Sequence, residues 1–174
     1  MVDVSNFGVA QKRERVIFVG TLKEHSYYVD EIIKKISNVK LPIKTVFDAI
    51  HDLENHQEDK KFNHIFTKHT DKMIEKIKNT PEGKTVMNGY SDAFRKQYYH
   101  KPSTTVKENH GGVHVHPKLN WVMTARELVR LQTFPDDFIF HSTKSNILKQ
   151  IGNAVPPKLS EEIVKIILEV VYKC

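Results

Sequence analysis

The sequence predicts an α/β fold: part of a buried sheet near its start, a small mixed lobe of helices and strands through the middle, and a helical end. Three observations predict it. "RVIFVG", Arg15 to Gly20, is a continuous β-branched and aromatic run, apolar on both faces like a strand inside an α/β sheet. Between residues 21 and 100, apolar residues recur at helical spacing in short segments. The last third ends in "PPKLSEEIVKIILEVVYK", a long amphipathic helical pattern.

Taken in order, Gly8 punctuates an opening turn before the basic stretch that leads into the strand. That strand needs neighbours, and few residues precede it, so the sheet reads as incomplete. "YYVDEIIKKI" places Val29, Ile32, Ile33 and Ile36 at helical spacing. "TVFDAIHDLEN" is a second short helix, and "TDKMIEKIKN" a third with Met73, Ile74 and Ile77 on one side, ended by "PEG". "GYSDAFRKQYYHKPSTT" mixes aromatic, basic and hydroxyl residues, and "TVKENHGGVHVHP" reads as short strands joined by a Gly-Gly turn. In "TARELVRLQ", Thr124 and Glu127 form a capping box, with Leu128 and Leu131 on the inner face. "FPDDF" is a Pro-Asp turn, and "SNILKQIG" is a short helix stopped at Gly152. The final helix opens on proline, where the missing N–H costs nothing, and carries a stripe of Leu159, Ile163, Ile166, Ile167 and Val170. There are no internal repeats. The expected division is 1–20, 21–120 and 121–174.

The 174 residues suit one domain, or a domain with a smaller lobe. A net charge of +6 and a pI near 9.3 favour an anionic partner, with nucleic acid first. The charge is spread along the chain, which argues against a disordered basic tail. Cys174 is the single cysteine, so a disulfide framework and a cysteine zinc site are excluded within these residues, and the usage fits a reducing compartment. No apolar run reaches transmembrane length, and "MVDVSNFGVAQKRER" does not read as a signal peptide.

Two constellations could carry chemistry. In "QKRER", an extended backbone would put Gln11, Arg13 and Arg15 on one face, two guanidinium forks and an amide suited to phosphates and base edges. From spacing alone, a solvated strand end with Glu14 opposite is the plainer reading. His114 and His116 share a strand face with His110 near, yet no thiol or carboxylate stands at ligand spacing beyond the nearby Glu108. No metal site is expected, and surface or DNA-facing histidines are the plainer reading.

"NFGVAQKRERVIFVG", "TARELVRLQTFPDDF" and "QIGNAVPP", in that order, resemble the eighth, ninth and tenth conserved motifs of the DNA cytosine-5 methyltransferases. "KPSTTVKENHGGVHVHP" resembles the segment that closes the family's target-recognition region. The resemblance covers about the first 20 and the last 75 residues, and the middle falls where the family varies. Ala10 departs from the pattern, standing where the family often has proline.

The resemblance implies a fragment of a Rossmann-like S-adenosylmethionine-dependent fold with a target-recognition lobe. It implies methyl transfer from S-adenosylmethionine to C5 of cytosine in duplex DNA, without a metal, in a restriction-modification system of the prokaryotic cytoplasm. Gln11, Arg13 and Arg15 would order the catalytic site, with Arg15 nearest the flipped base. Thr104, Thr105 and Val106 would lie near the DNA, as would Arg126 and Arg130 of the ninth motif, which organises the recognition region. Asn153, Ala154 and Val155 would meet the cofactor, with Gly152 letting the backbone approach. The Pro-Cys nucleophile, the Glu-Asn-Val motif and the Gly-rich motif of the family have no match: Cys174 lacks a preceding proline, and Glu54-Asn55 and Glu108-Asn109 come too late.

The chain is therefore expected to be inactive alone and active with a complementary subunit. A split-enzyme subunit, a frameshift product and a piece cut from a longer enzyme all fit, and a non-catalytic DNA-binding module is the competing class. The strand at 15–20 and the stripe of the last helix are expected to need cover from a partner, or from a second copy, and without it the chain is expected to be unstable or to self-associate.

Overall fold

The computed structural model describes residues 1–87, 89, 94–108 and 114–172. The expected Gly-Gly turn, His110 and Cys174 lie outside them. Helices α1 (Val29–Ser37), α2 (Val46–Ile50), α3 (Asp71–Asn79), α4 (Ala125–Leu131), α5 (Lys144–Asn153) and α6 (Pro157–Tyr172) carry most of the order. Strands β1 (Val2–Asp3) and β2 (Glu14–Arg15) pair antiparallel, with Val2 opposite Arg15. Strands β3 (Arg95–Lys96) and β4 (His114–Val115) pair in parallel, with Arg95 opposite His114.

Three apolar clusters hold these pieces. The first joins α2, α4 and α5 through Val46, Ile50, Leu128, Val129, Leu131, Ile147 and Ile151, with Ala10 and Val106 inserted from either side. The second packs α1 and α6 on the N-terminal segment, through Ile32, Ile36, Leu159, Ile166 and Val170 with Val2, Val4, Phe7 and Val9. The third gathers Ile77, Val86, Val115 and Val122 under α3.

The second cluster corrects one expectation. The stripe of α6 does not wait for a partner: α1 and the N-terminal segment cover it, Ile163 and Ile167 pack at its edge, and Lys35 pairs with Glu169 across the two helices at 2.6 Å. The strand at 15–20 is a second correction. The ladder stops at Arg15, because Val2–Asp3 is the only partner strand among the described residues. Beyond it Ile17 and Val19 pack against the second cluster, while Val16 and Phe18 face outward, Phe18 at 91% exposure.

Local signals fare better where the partner is local. Thr45 caps α2 and Thr124 caps α4, each with the reciprocal bond from its own backbone N–H to the carboxylate three residues on, Asp48 and Glu127. The Phe138 N–H closes the expected turn on the Pro135 carbonyl at 3.2 Å. Lys96, itself buried, donates to the Ile77 carbonyl at 3.1 Å and so caps the end of α3.

Gly152 has a role different from the one expected. It does not stop α5, which runs on through Asn153 and ends at Ala154. A Cβ on Gly152 would lie 2.2 Å from the Glu108 backbone nitrogen and 2.4 Å from the Lys107 carbonyl carbon. Glycine is required here for the approach of a helix to a neighbouring backbone, which cannot yield like a side chain. Gly152→Ala is expected to destabilise the chain at the upper end of roughly 1–3 kcal/mol, the range for overpacking a close-packed site. A urea midpoint equal to that of the native chain would show that α5 and residues 107–108 separate freely.

The α4 capping box is buried in an unusual setting. Glu127 and His116 are both fully buried, 3.9 Å apart, with the Trp121 indole N–H donating to the same Glu127 oxygen at 3.4 Å. His64 contacts the capping Thr124 hydroxyl at 2.9 Å. Burial pushes the Glu127 carboxyl up to about 7, against hydrogen bonds from Thr124 and Trp121 that pull it down. Burial also pushes the His116 imidazole down to about 4. The signs oppose. Glu127 contributes stability below its unfolded range near 4.5 that is lost as pH rises through about 7. His116 contributes stability above about 6.5 that is lost as pH falls towards about 4. Between about 4.5 and 6.5 the two largely cancel. Glu127→Gln, which keeps the capping geometry, removes one side. Its stability is expected to rise with pH in that window more steeply than the native chain's, by up to about 1.4 kcal/mol per pH unit. Urea denaturation at three pH values reads the slope, and parallel native and variant curves would refute the assignment.

Candidate functional site

The segment Ala10–Arg15 runs beside Ser103–Val106, bridged in parallel at Gln11 and Ser103. Ser103 donates to the Ala10 carbonyl at 2.9 Å, and Lys12 donates to the Ser103 carbonyl at 2.8 Å. This extended pairing puts Gln11 and Arg13 on one face and turns them inward, where spacing alone favours a solvated strand end. Both are buried, whereas Lys12 and Glu14 are exposed. Arg15 shares their parity but stands beyond the lobe's edge, exposed, one guanidinium nitrogen on the Glu14 carbonyl at 2.6 Å.

Gln11 and Arg13 read backbone. The Val106 N–H donates to Gln11 Oε1 at 3.1 Å, and Arg13 Nη1 donates to the Val106 carbonyl at 2.8 Å. The same guanidinium donates through both Nη1 and Nη2 to the Gly152 carbonyl, each at 3.1 Å. Burial, then the charge of Arg15, lowers the Arg13 pKa from its ordinary value, but guanidinium remains a cation in proteins. Among the described residues no carboxylate pairs with it. The negative end of α5 takes that place, since Gly152 holds one of the helix's last unbonded carbonyls.

Thr104 and Thr105 lie on the partly exposed edge of this pairing. Thr104 donates to Gln97 Oε1 through both N–H and hydroxyl, and the Thr105 hydroxyl donates to the Lys12 carbonyl at 3.0 Å. Val106 differs from them: its side chain is buried in the first cluster, off the partly exposed edge that carries Thr104 and Thr105.

Both arginines of the α4 segment correct an expectation. Arg126 is fully buried, stacked on Phe62 at 4.3 Å, and donates to the Phe62, Pro135 and Phe138 carbonyls at 2.8, 3.2 and 3.0 Å. Arg130 is held by two carboxylates, bidentate to Asp136 at 2.8 and 2.6 Å and through Nη1 to Asp52 at 2.6 Å. Neither guanidinium is open to a phosphate. They tie the middle of the chain to α4.

His114 and His116 are buried, contrary to a surface or DNA-facing reading. His114 Nε2 meets the Thr104 carbonyl at 2.9 Å, and His116 Nδ1 accepts from the Lys118 and Leu119 N–H groups at 3.1 and 2.9 Å. Among the described residues no group of three or more His, Cys, Asp or Glu side chains is arranged to hold a metal.

The turn after α5 is open. Asn153 is exposed, its amide donating to Glu108 Oε2 at 2.7 Å, Ala154 is half-buried, and Val155 is 61% exposed. Pro156 is buried and Pro157 begins α6. Glu108 therefore fixes the turn, a role the sequence reading missed. Its signal is only that a carboxylate stands near the end of the segment that Gly152 touches.

Over 185 aligned residues the chain is 33% identical to the type II methyltransferase M.BbvI of Brevibacillus brevis, covering 96% of this chain and 46% of that protein. It is 32% identical over 121 residues to the type II methyltransferase M.AquIB of Picosynechococcus, covering 62% of this chain and 87% of that protein. The fold is similar to the crystal structure of a DNA modification methyltransferase encoded within an E. coli prophage, with a TM-score of 0.75 at 20% identity, covering 98% of this chain and 59% of that one. The chain thus spans about half the length of M.BbvI. The model of the C-5 cytosine-specific DNA methylases matches residues 1–169, and the chain belongs to that family.

Proposed function

We propose that this chain forms the recognition side and the cofactor-adjacent turn of an enzyme that methylates C5 of cytosine in duplex DNA, within a type II modification system of the prokaryotic cytoplasm. The observation that carries the reading is the junction at Arg13 of the eighth-motif segment, which it joins to Val106 of the segment resembling the close of the recognition region and to Gly152 of the tenth-motif segment. The nucleophile is supplied from outside these 174 residues, because their one cysteine follows lysine and not proline. A complementary subunit carrying the Pro-Cys and Gly-rich motifs meets that need.

In this reading each residue has a bounded task. Arg15, exposed beside the buried Gln11–Arg13 pair, reaches the flipped cytosine. Thr104 and Thr105 border the DNA, and surface lysines neutralise phosphates. S-adenosylmethionine supplies an electrophilic methyl group when bound. The turn fits one wall of its site and no more: Val155 offers an exposed apolar contact, and Asn153 an amide pinned by Glu108. The remaining walls belong to the catalytic half. That half also covers Val16, Phe18, Val164 and Leu168, large apolar side chains left exposed here.

The chain alone is expected to transfer no methyl group to duplex DNA, and to gain activity with a polypeptide bearing the Pro-Cys and Gly-rich motifs. Radiolabelled methyl transfer measures both. Methylation by the chain alone, surviving Cys174→Ser, would refute this chemistry. Duplex binding without activity in any combination would favour a non-catalytic binding module. In the assembled enzyme, Arg15→Ala is expected to lower turnover by about 100-fold, the usual loss for a donor aimed at a reacting group. DNA affinity should change far less and should weaken as salt rises. Equal losses in affinity and turnover would place Arg15 on the phosphates instead.

A further inference from the structure

A cavity of about 220 Å³ opens between the middle of the chain and the first turns of α5. Its deep wall is apolar, formed by the buried Val106, Met123 and Leu128, and Phe94 and Leu148 flank it half-buried. Phe94 sits at a φ of 54°, a left-handed conformation that is costly for an aromatic residue. Two exposed lysines, Lys144 and Lys149, stand on the α5 side. The Lys144 ammonium donates to the Thr67 hydroxyl at 2.7 Å, and among the described residues no carboxylate lies within ion-pair distance of it. Partial burial lowers its pKa, opposed by the charge of Glu58. Among the described residues the lining holds one carboxylate, Glu108, which accepts from the Asn153 amide.

We infer that this cavity holds one unstacked nucleotide of the bound DNA, its base on the apolar wall against Phe94 and its phosphate on Lys144 and Lys149. The inference rests on the DNA reading above and deepens it. The volume falls below the range of about 300–1,000 Å³ typical of drug-sized ligands, so it suits a single small ring system. The Phe94 ring offers a face on which a base stacks whatever its edge, and the aliphatic wall covers the rest of its apolar surface. Lysines at the mouth offer donors that a partner anion completes. Val106 forms the wall directly after Thr104 and Thr105, the residues that the DNA reading sets at the DNA border. The unstacking of the base is offset by these contacts, as in other sites that take a base from the helix.

The test uses the isotope-labelled chain and amide chemical shifts. Deoxynucleoside monophosphates, the matching nucleosides, inorganic phosphate and S-adenosylhomocysteine are each titrated to about 10 mM, beyond the weak-binding limit. The monophosphates are expected to shift residues 67–69, 122–123 and 144–149 together, with nucleosides and phosphate at least tenfold weaker. Ser145→Trp, at an exposed lining position outside the core, fills the mouth and should abolish the shifts. Lys149→Glu should weaken binding at least fivefold. Absence of any shift with the monophosphates overturns the inference, and so does equal binding of phosphate alone or preference for S-adenosylhomocysteine. If duplex binding remains salt-sensitive while the monophosphates leave the cavity unmoved, the nucleotide site fails and the methyltransferase reading stands.

Discussion

A buried guanidinium that no carboxylate pairs with among the described residues fixes how the parts of this chain meet. Arg13 gives three hydrogen bonds to two carbonyls, one in the loop at Val106 and one in the last turn of α5. Hydrogen bonds to a charged group contribute about 1.5–3 kcal/mol each, which offsets a desolvation cost of several kcal/mol only when the geometry is fixed in advance. Gly152 fixes it. With any side chain there, α5 would stand off from residues 107–108 and its carbonyl would leave the fork. Lysine could not substitute at position 13, since a point donor cannot bridge two carbonyls as a planar fork does. The arginine and the glycine, 139 residues apart, therefore constrain one another.

The same principle governs the use of charge. The net charge of +6 points outward to an anion, yet the arginines that stand out in the ninth motif are turned inward. Arg126 organises three carbonyls and the Phe62 ring, and Arg130 draws Asp52 and Asp136 together. Both carry bonds between α4 and residues more than sixty positions earlier, so they act as struts between α4 and the middle of the chain. The exposed charge rests largely with lysines, while the buried forks of Arg13 and Arg126 make directional bonds to carbonyls and the fork of Arg130 grips two carboxylates.

How much of this was legible depends on the distance to the partner. The capping box of α4 and the stripe of α6 could be read because their logic is contained within a few turns. The chemistry of the site was legible only as a pattern: Gln11 and Arg13 do share a face, but what they face, Val106 and Gly152, lies about 90 and 140 residues away. Gly152 was misread as a helix stop because a glycine needed for close packing and one needed for a left-handed turn look alike in sequence. The buried state of His116 had a local signal that went unused, a histidine whose ring accepts from the amides two and three residues on. Arg130 had half a signal, since Asp136 is near in sequence and Asp52 is not.

Residues 16–19 and α6 each divide their apolar side chains between a covered face and an exposed one. Apolar residues on two faces imply two neighbours, and each element has one of them within the chain. Ile17 and Val19 pack inward while Val16 and Phe18 face out, and on α6 the covered stripe lies opposite Val164 and Leu168. Core formation and docking therefore use different faces of the same elements. The inward faces hold the fold, with each fully buried aliphatic side chain contributing about 1.5–3 kcal/mol. The outward faces offer a further apolar area whose burial would offset the loss of freedom on association. Since the inward faces pack without help, a partner on the outward faces adds to a core that already exists, and binding need not be coupled to folding.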